Sequence, residues 1–450
     1  MKKNSLLKVI LITTLLFIVL SWIIPGGLFY KGTFYKAENS VALGLGDIFT
    51  LPFQAFYLFA EYGVIFLLIG GMYGVFNKTG AYYNVVKKIA SLFAKKKNLA
   101  IILTSIIILL FESIIGNNLL TFVLIPFFVS VLTELGFNKK RVMLATIGSL
   151  ILGSFASTIG YGGLINYLFE LNKKELLKVR LIILAVTFIL MIVTLLIKNK
   201  NDKDEEKMEI AYEEGSKKGI GLTIIFIIFM LISIIGVYNF ADFLGIKVFS
   251  NFSTNVLSKI SILNGITALG SWGTREIAGM IIFTIFVTSI FYRIKFSSLI
   301  EGFKDGAKSM IKPSIYATLS GIIFMYYYNS SEGYNFIDTI VNFIYSSSGE
   351  YLKLKTAVAT PIYLFLFNNQ LFLTNNVAGI VSILSSNKTS IAASGLSLQL
   401  MSGVFNLIIP TSYVLMAGLA YFNISYGKWF KYIWKLLLVL IIISGIIIMA

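Results

Sequence analysis

The sequence predicts an all-α polytopic membrane protein with the inverted-repeat architecture of a secondary transporter. Hydrophobic residues make up 57% of the 450 residues and charged residues 13%, whereas soluble domains carry about 25% charged residues. One order of segments, namely span, amphipathic stretch, hairpin, broken span and span, occurs twice along the chain. Uncharged runs that are too long for one crossing lie in both copies. These observations predict about nine full spans and two re-entrant helical hairpins.

The amino-acid composition excludes several classes of protein function. The chain has no Cys and no His, which excludes disulfides, the usual zinc sites and Ser-His hydrolases. Its net charge of +17 comes from Lys clusters between apolar runs, where they orient spans and contact anionic lipid rather than nucleic acid. We therefore expect a protein of the lipid bilayer that is not an enzyme, binds no nucleic acid and needs no cofactor other than a coupling ion.

The N-terminal region, residues 1–55, holds the first span and an outer loop. The span covers Leu6–Ile24 and ends in Trp-Ile-Ile-Pro instead of a small-residue cleavage site, so we interpret it as uncleaved. Lys2, Lys3 and Lys8 place its start in the cytoplasm. The expected location is the plasma membrane.

The first repeat, residues 56–197, contains the first predicted hairpin at 99–135. Its run from Leu99 to Thr133 has one charge, Glu112, with Gly116-Asn117-Asn118 at the centre. A straight helix of this length would measure about 52 Å, against a hydrocarbon core of about 30 Å. The segment is therefore predicted to enter the membrane, turn and leave on the same side. A Gly-rich broken span at 142–169 follows.

Residues 198–219 form a charged cytoplasmic linker, with six basic and seven acidic residues, and 220–312 hold connecting spans. The second repeat, 313–450, has its hairpin at 353–388 and a broken span at 389–427. Its amphipathic stretch, 329–350, carries Glu332, Asp338 and Glu350 and no basic residue, whereas the first copy has six Lys and no acid. The two copies are therefore expected to have opposite orientations. The basic loop at 170–180 falls outside in this topology, against the positive-inside bias.

Polar clusters in the hairpins and broken spans are the candidate transport site. Asn, Ser and Thr oxygens suit Na⁺, and freed N–H groups at half-helix starts attract carboxylates. The alternative is that these residues only hydrogen-bond and pack between helices. The predicted substrate-binding residues are Glu112, Asn117, Asn118, Ser157, Thr158, Asn375, Asn376, Asn406, Thr411 and Ser412. The predicted Na⁺ site consists of Asn117, Thr158, Asn375 and Asn406.

Glu112 is the single acid deep inside these apolar segments. Such a group costs roughly 3 kcal/mol and usually marks a pathway. It would pair with a cationic substrate, carry a proton, or remain neutral against a neighbouring helix. No Lys or Arg lies within 99–133, 142–169, 356–387 or 389–427, so an anionic substrate would depend on helix N-termini and Asn or Ser donors.

The chain resembles the YfcC-like basic amino acid antiporters, which belong with the anaerobic C4-dicarboxylate carriers in the ion transporter superfamily. The motifs are WIIPGG at Trp22–Gly27, GGMYGVF at Gly70–Phe76 with KTGA at Lys78–Ala81, EGFKDGA at Glu301–Ala307, DTI at Asp338–Ile340, NLIIPTS at Asn406–Ser412 and YGKWFK at Tyr426–Lys431. Asn117 and Asn118 stand where the family pattern has an acidic pair. Gly160-Tyr161-Gly162 replaces its Asn-Pro-Phe.

The resemblance implies a secondary active transporter that moves a basic amino acid by exchange or by cation coupling, through alternating access. Glu112 would bind the cationic group of the substrate. Half-helix N-termini near Ser157 and Thr411 would bind its carboxylate. A C4-dicarboxylate or other carboxylate carrier is the alternative within this class. A channel and a membrane-embedded enzyme are the alternatives from other classes. Relatives with this plan are often dimers, so the resemblance also implies a homodimer.

Overall fold

The computed structural model describes residues 5–38, 42–44, 46–172, 174–198, 207–215, 217–261, 265–329, 333–346 and 351–450. This part of the chain is predominantly helical. Eight of its helices are long and apolar enough to cross a membrane, which supports the predicted polytopic class. Residues 199–206 and 216 of the predicted linker lie outside the described residues, as do Lys2, Lys3, Lys173, Glu332 and Glu350.

The N-terminal half begins with a helix, a β-hairpin and the elements of the first repeat. They are α1 (Ser5–Ile23), β1 (Gly27–Tyr30), β2 (Thr33–Lys36), α2 (Asp47–Lys78), α3 (Tyr82–Leu92), α4 (Lys97–Ile115), α5 (Asn118–Glu134), α6 (Lys139–Met143), a π-helical turn (Leu144–Gly148), α7 (Ser149–Phe155), α8 (Gly160–Leu168) and α9 (Leu177–Lys198).

The connecting region and the second repeat complete the chain. Their elements are α10 (Ile220–Val237), α11 (Phe240–Leu244), α12 (Val248–Asn255), a 3₁₀ turn (Leu257–Lys259), α13 (Thr274–Phe291), α14 (Phe296–Leu319), α15 (Ile322–Asn329), α16 (Phe336–Ser346), α17 (Leu352–Leu366), α18 (Gln370–Leu384), α19 (Lys388–Phe405), α20 (Tyr413–Tyr421) and α21 (Tyr426–Met449). A helix pair, a helix broken near its end and a long helix thus follow one another in both halves. The opposite orientation of the halves stays a prediction.

Two segments differ from the sequence-based expectation. The predicted outer loop contains the antiparallel pair β1–β2, because Lys31 and Gly32 both have positive φ, 48° and 79°, as a tight hairpin turn requires. The span predicted at the start of the second repeat, between residue 313 and the amphipathic stretch that begins at 329, is divided between α14 and α15. Since α14 also carries the charged segment that precedes this span, it is not among the eight spanning candidates.

The chain divides into two compact units, which are described separately. Unit 1 comprises residues 1–60, 151–190 and 315–450, and unit 2 comprises 61–150 and 191–314. In unit 2 the pair α4–α5 packs against α3 and the π-helical turn. In unit 1 the pair α17–α18 packs against α19 and α8.

Asp338 joins three elements of unit 1. This buried carboxylate accepts hydrogen bonds from the Phe29 N–H of β1 (3.0 Å) and from the Tyr363 hydroxyl of α17 (2.9 Å). Backbone hydrogen bonds between Gly27 and Asn335 hold the same β-hairpin at the start of α16. Asp338, the acidic residue of the DTI motif, therefore links the β-hairpin to α17 of the second helix pair by hydrogen bonds.

Candidate functional site

The turn of the first helix pair is held by its own polar residues. Gly116 ends α4 in the left-handed region, at φ 66°, which favours glycine. The Asn117 carboxamide oxygen then caps α5 by accepting from Leu120 N–H at 2.9 Å. Glu112 is fully buried and accepts a hydrogen bond from the Thr121 hydroxyl across the turn. Asn118, the first residue of α5, is partly exposed.

The first broken span is interrupted between Phe155 and Gly160, where four residues are not helical. Two carbonyl groups at the break accept hydrogen bonds from a side chain. The Gln399 amide of α19 donates to Phe155 O (3.1 Å) and Ser157 O (2.8 Å), while the Ser157 hydroxyl accepts from Gly162 N–H at 3.0 Å. The break is thus stabilised by a side chain from the second broken span, as non-helical backbone at membrane depth requires.

The tip of the second helix pair contacts this break within unit 1. The Gln370 amide donates to the Ser154 hydroxyl at 3.0 Å, and the hydroxyl oxygens of Thr374 and Tyr161 are 3.1 Å apart. Gln370 and Thr374 share a helix face because they are four residues apart. Asn375, by contrast, is exposed. The Asn376 amide donates to Phe372 O within its own helix, at 2.9 Å.

Arg180, which the predicted topology placed in an external loop, lies beside this break. It belongs to the first turn of α9 and is only 1% exposed. Its Nε donates to Gln399 Oε1 at 2.8 Å, and its Nη1 donates to Asn166 Oδ1 at 3.0 Å. A methyl group on Gly162 would lie 2.9 Å from Arg180 Nε. Because Gly162 has no side chain, the Arg180 guanidinium can pack directly against α8.

In the described part of the chain no buried carboxylate pairs with Arg180, and the exposed carboxylate of Glu175 attracts its guanidinium only through space. Its side-chain partners, Gln399 and Asn166, are neutral amides, and Glu175 contributes its backbone carbonyl while its side chain is exposed. Within the described part of the chain, Arg180 Nη2 has no hydrogen-bond acceptor. Burying a cation in this way is costly unless an anion compensates it. The arrangement can therefore receive a carboxylate.

The loop between α8 and α9 fixes the position of Arg180. The Asn166 amide donates to Asn172 O (3.1 Å) and Glu175 O (3.2 Å), while Arg180 Nη1 also reaches Glu175 O at 3.3 Å. Glu170 and Leu176, at either side of the loop, both have positive φ, 54° and 61°. Non-glycine residues rarely adopt this conformation, so the loop is held in a strained form that presents Arg180.

The second broken span is stabilised by its neighbours in unit 1. The Thr411 hydroxyl donates to Leu364 O at 2.7 Å, and the Ser412 hydroxyl caps α20 by accepting from Leu415 N–H at 3.4 Å. The Trp429 indole donates to Leu407 O at 2.9 Å. Asn406 lies partly buried at the end of α19.

The predicted site residues fall into both units. Glu112, Asn117 and Asn118 belong to unit 2, and the seven others belong to unit 1. The proposed Na⁺ ligands are divided in the same way, since Asn117 lies in unit 2. Of the side chains that surround the first break, sequence reasoning missed Asn166, Arg180 and Gln399. Gln370 and Thr374 belong to the polar cluster of the second predicted hairpin but were not among the predicted binding residues. The conflict between the basic 170–180 loop and the positive-inside bias was the available signal for Arg180.

The chain was compared with family models, curated proteins and solved structures, and the family model points to transport. A family model described as C4-dicarboxylate anaerobic carrier (DcuC) matches residues 4–450. No curated protein matches the chain. One similar solved structure, described as the Alcanivorax borkumensis YdaH transporter with an unusual topology, is 12% identical, with 98% of this chain and 96% of that chain covered and a TM-score of 0.41.

Proposed function

Since the chain belongs to the C4-dicarboxylate anaerobic carrier (DcuC) family, we propose that it moves a C4-dicarboxylate across the membrane by alternating access. The observation that carries this proposal is the buried guanidinium of Arg180, which lies at the first helix break with neutral side-chain partners. Arginine binds carboxylates through a planar fork of donors. The sequence-based objection that an anionic substrate would find no basic residue is thereby removed.

A second buried donor supports an anionic substrate. In the described part of unit 1, Asn368 Nδ2 at the tip of the second helix pair also has no hydrogen-bond acceptor. Buried polar groups are normally paired. Two unmatched N–H donors in one unit favour a ligand rich in acceptor oxygens, and a dicarboxylate has four of them. We propose that Arg180 binds one carboxylate and that Asn and Ser donors near the break bind the other.

Basic amino acid exchange is the second candidate, and Glu112 is the observation in its favour. A fully buried carboxylate in the turn of the first helix pair is suited to a cationic group. However, Asn117 and Asn118 replace the acidic pair of the YfcC-like pattern, which removes negative charge from the same turn. We therefore propose that Glu112 serves a coupling ion, H⁺ or Na⁺, rather than the substrate.

Counterflow in proteoliposomes tests the proposed substrate. Vesicles are preloaded separately with succinate, citrate, butyrate, arginine, ornithine or lysine, and uptake of the labelled compound is followed. We expect saturable succinate exchange and none with butyrate, because a monocarboxylate engages only one of the two donor groups. Exchange of arginine without exchange of succinate would establish the amino acid alternative, and linear, unsaturable flux would indicate a channel.

Glu112→Gln tests the proposed coupling role in the same vesicles. The glutamine can still accept the hydrogen bond from Thr121, but it neither carries a proton nor offers a charge to Na⁺. We expect succinate exchange to persist, while net uptake driven by an H⁺ or Na⁺ gradient is lost. Glu134→Gln is the matched control, since Glu134 ends α5 and is exposed. Loss of exchange and net uptake together would assign Glu112 to the substrate site or to the fold.

A further inference from the structure

A basic cavity lies at the foot of the first helix pair, within unit 2. It has a volume of about 780 Å³ and lies between the segment before and at the start of α4, residues 94–99, and the segment after α5, residues 135–138, together with Arg141. Lys95, Lys96, Lys97 and Arg141 are its four cations, and no Asp or Glu lines it. We call these four residues the basic foot.

The basic foot is built from fixed as well as exposed side chains. Arg141 is 2% exposed, its Nη2 donates to Asn98 Oδ1 at 3.0 Å, and its guanidinium lies 4.8 Å from the centre of the Phe137 ring. Lys97 Nζ donates to Leu135 O at 2.8 Å, which ties the start of α4 to the end of α5. Lys95 and Lys96 are exposed at the mouth.

A fifth cation lies near the basic foot. Lys207 of the linker lies close to Gly136 and Lys97. A methyl group on Gly136 would be 3.7 Å from Lys207 Nζ and 4.0 Å from Lys97 Nζ. Glu134, the acid nearest along the chain, is exposed and does not line the cavity. Cations gathered around one cavity repel each other. An anion bound among them would relieve this repulsion and would accept several charged hydrogen bonds.

We propose that the basic foot binds a phosphate-bearing anion, carried by an anionic lipid headgroup or present as a free phosphoanion. A fixed, buried arginine with exposed lysines around it combines forked hydrogen bonding with flexible point charges, the chemistry by which proteins hold phosphate groups. The bound phosphate would join the two ends of the α4–α5 pair, which Lys97 already links. The basic foot shares no residue with the substrate site proposed in unit 1, and the proposal does not rest on the identity of the transported compound.

Binding to the purified full-length protein in neutral detergent tests this site. The probes are short-chain phosphatidylglycerol, phosphatidylcholine of the same chain length and inorganic phosphate, with affinities measured by thermophoresis. We expect Lys95→Gln with Lys96→Gln to weaken binding of the anionic probe about 25-fold, since each basic residue near an anionic surface contributes about fivefold. Phosphatidylcholine is expected to bind equally to both proteins.

The matched control is Lys87→Gln with Lys88→Gln, which removes the same charge from exposed positions on α3 outside the cavity. We expect this variant to retain the affinity of the unmodified protein. Binding of phosphatidylglycerol but not of inorganic phosphate identifies a lipid headgroup, and competition between the two identifies a free phosphoanion. Equal losses in both double variants, or no binding of either anionic probe, would overturn the proposal. Succinate counterflow by each variant reports independently on folding and on the transport proposal.

Discussion

Arg180→Gln is expected to lower the transport efficiency for succinate by about 30-fold or more. Truncating one partner of a buried, hydrogen-bonded charge pair costs about 2–5 kcal/mol, and the substrate carboxylate would lose its cationic partner. The variant side chain is shorter and neutral, and it remains among neutral amides, Gln399 and Asn166, so the protein is expected to fold. The measurement is the initial rate of labelled succinate exchange over a concentration series in proteoliposomes.

Three further variants identify the cause of the loss. Arg275→Gln removes the same charge at an exposed position and is expected to leave transport unchanged. Arg180→Lys keeps the charge without the fork and is expected to be intermediate. Gly162→Ala introduces a methyl group 2.9 Å from Arg180 Nε, so it is expected to displace the guanidinium and raise KM. Normal succinate efficiency in Arg180→Gln would remove Arg180 from the substrate site.

The membrane class and the order of helices were predictable because few structures satisfy backbone hydrogen bonds in a bilayer. The predicted hairpin stretch 99–135 corresponds to the pair α4–α5, and its central Gly116 and Asn117 are the C-cap of α4 and the N-cap of α5. That the pair re-enters the membrane stays a prediction. The β1–β2 hairpin was missed because its strands are short and lie in a polar segment.

The surroundings of Arg180 were not predictable because they are assembled from distant parts of the chain. Arg180 and Gln399 are 219 positions apart, and Gln370 and Ser154 are 216 apart. A single sequence does not reveal such pairings. In the second helix pair the sequence did not indicate which of two neighbouring residues faces the break. Successive residues of a helix point in directions that differ by about 100°. Thr374 therefore faces the break while Asn375, the residue chosen for its amide, is exposed.

Gly74→Val is expected to abolish most of the folded yield of the protein. A Cβ at Gly74 would lie 2.0 Å from Gly302 O, and one at Gly306 would lie 2.1 Å from Gly70 O. Helices α2 and α14 thus meet backbone to backbone at small residues spaced four apart, a common device in membrane helix packing. Because backbone atoms cannot rotate away as side chains do, we expect a cost above the about 1–3 kcal/mol of ordinary overpacking. Size-exclusion profiles and melting temperatures in detergent measure it.

Gly279→Val is the matched control, because a Cβ at Gly279 in α13 meets no atom within 4 Å. It makes the same change in helix propensity and is expected to fold normally. The contact joins the GGMYGVF and EGFKDGA motifs, and at its end Lys78 binds Glu301 at 3.2 Å and Glu213 at 2.5 Å. If the Gly74→Val protein had the same melting temperature as the unmodified protein, α2 and α14 would be able to separate without loss of stability. The two motifs would then not be a packing device, and their resemblance to the family pattern would need a functional explanation.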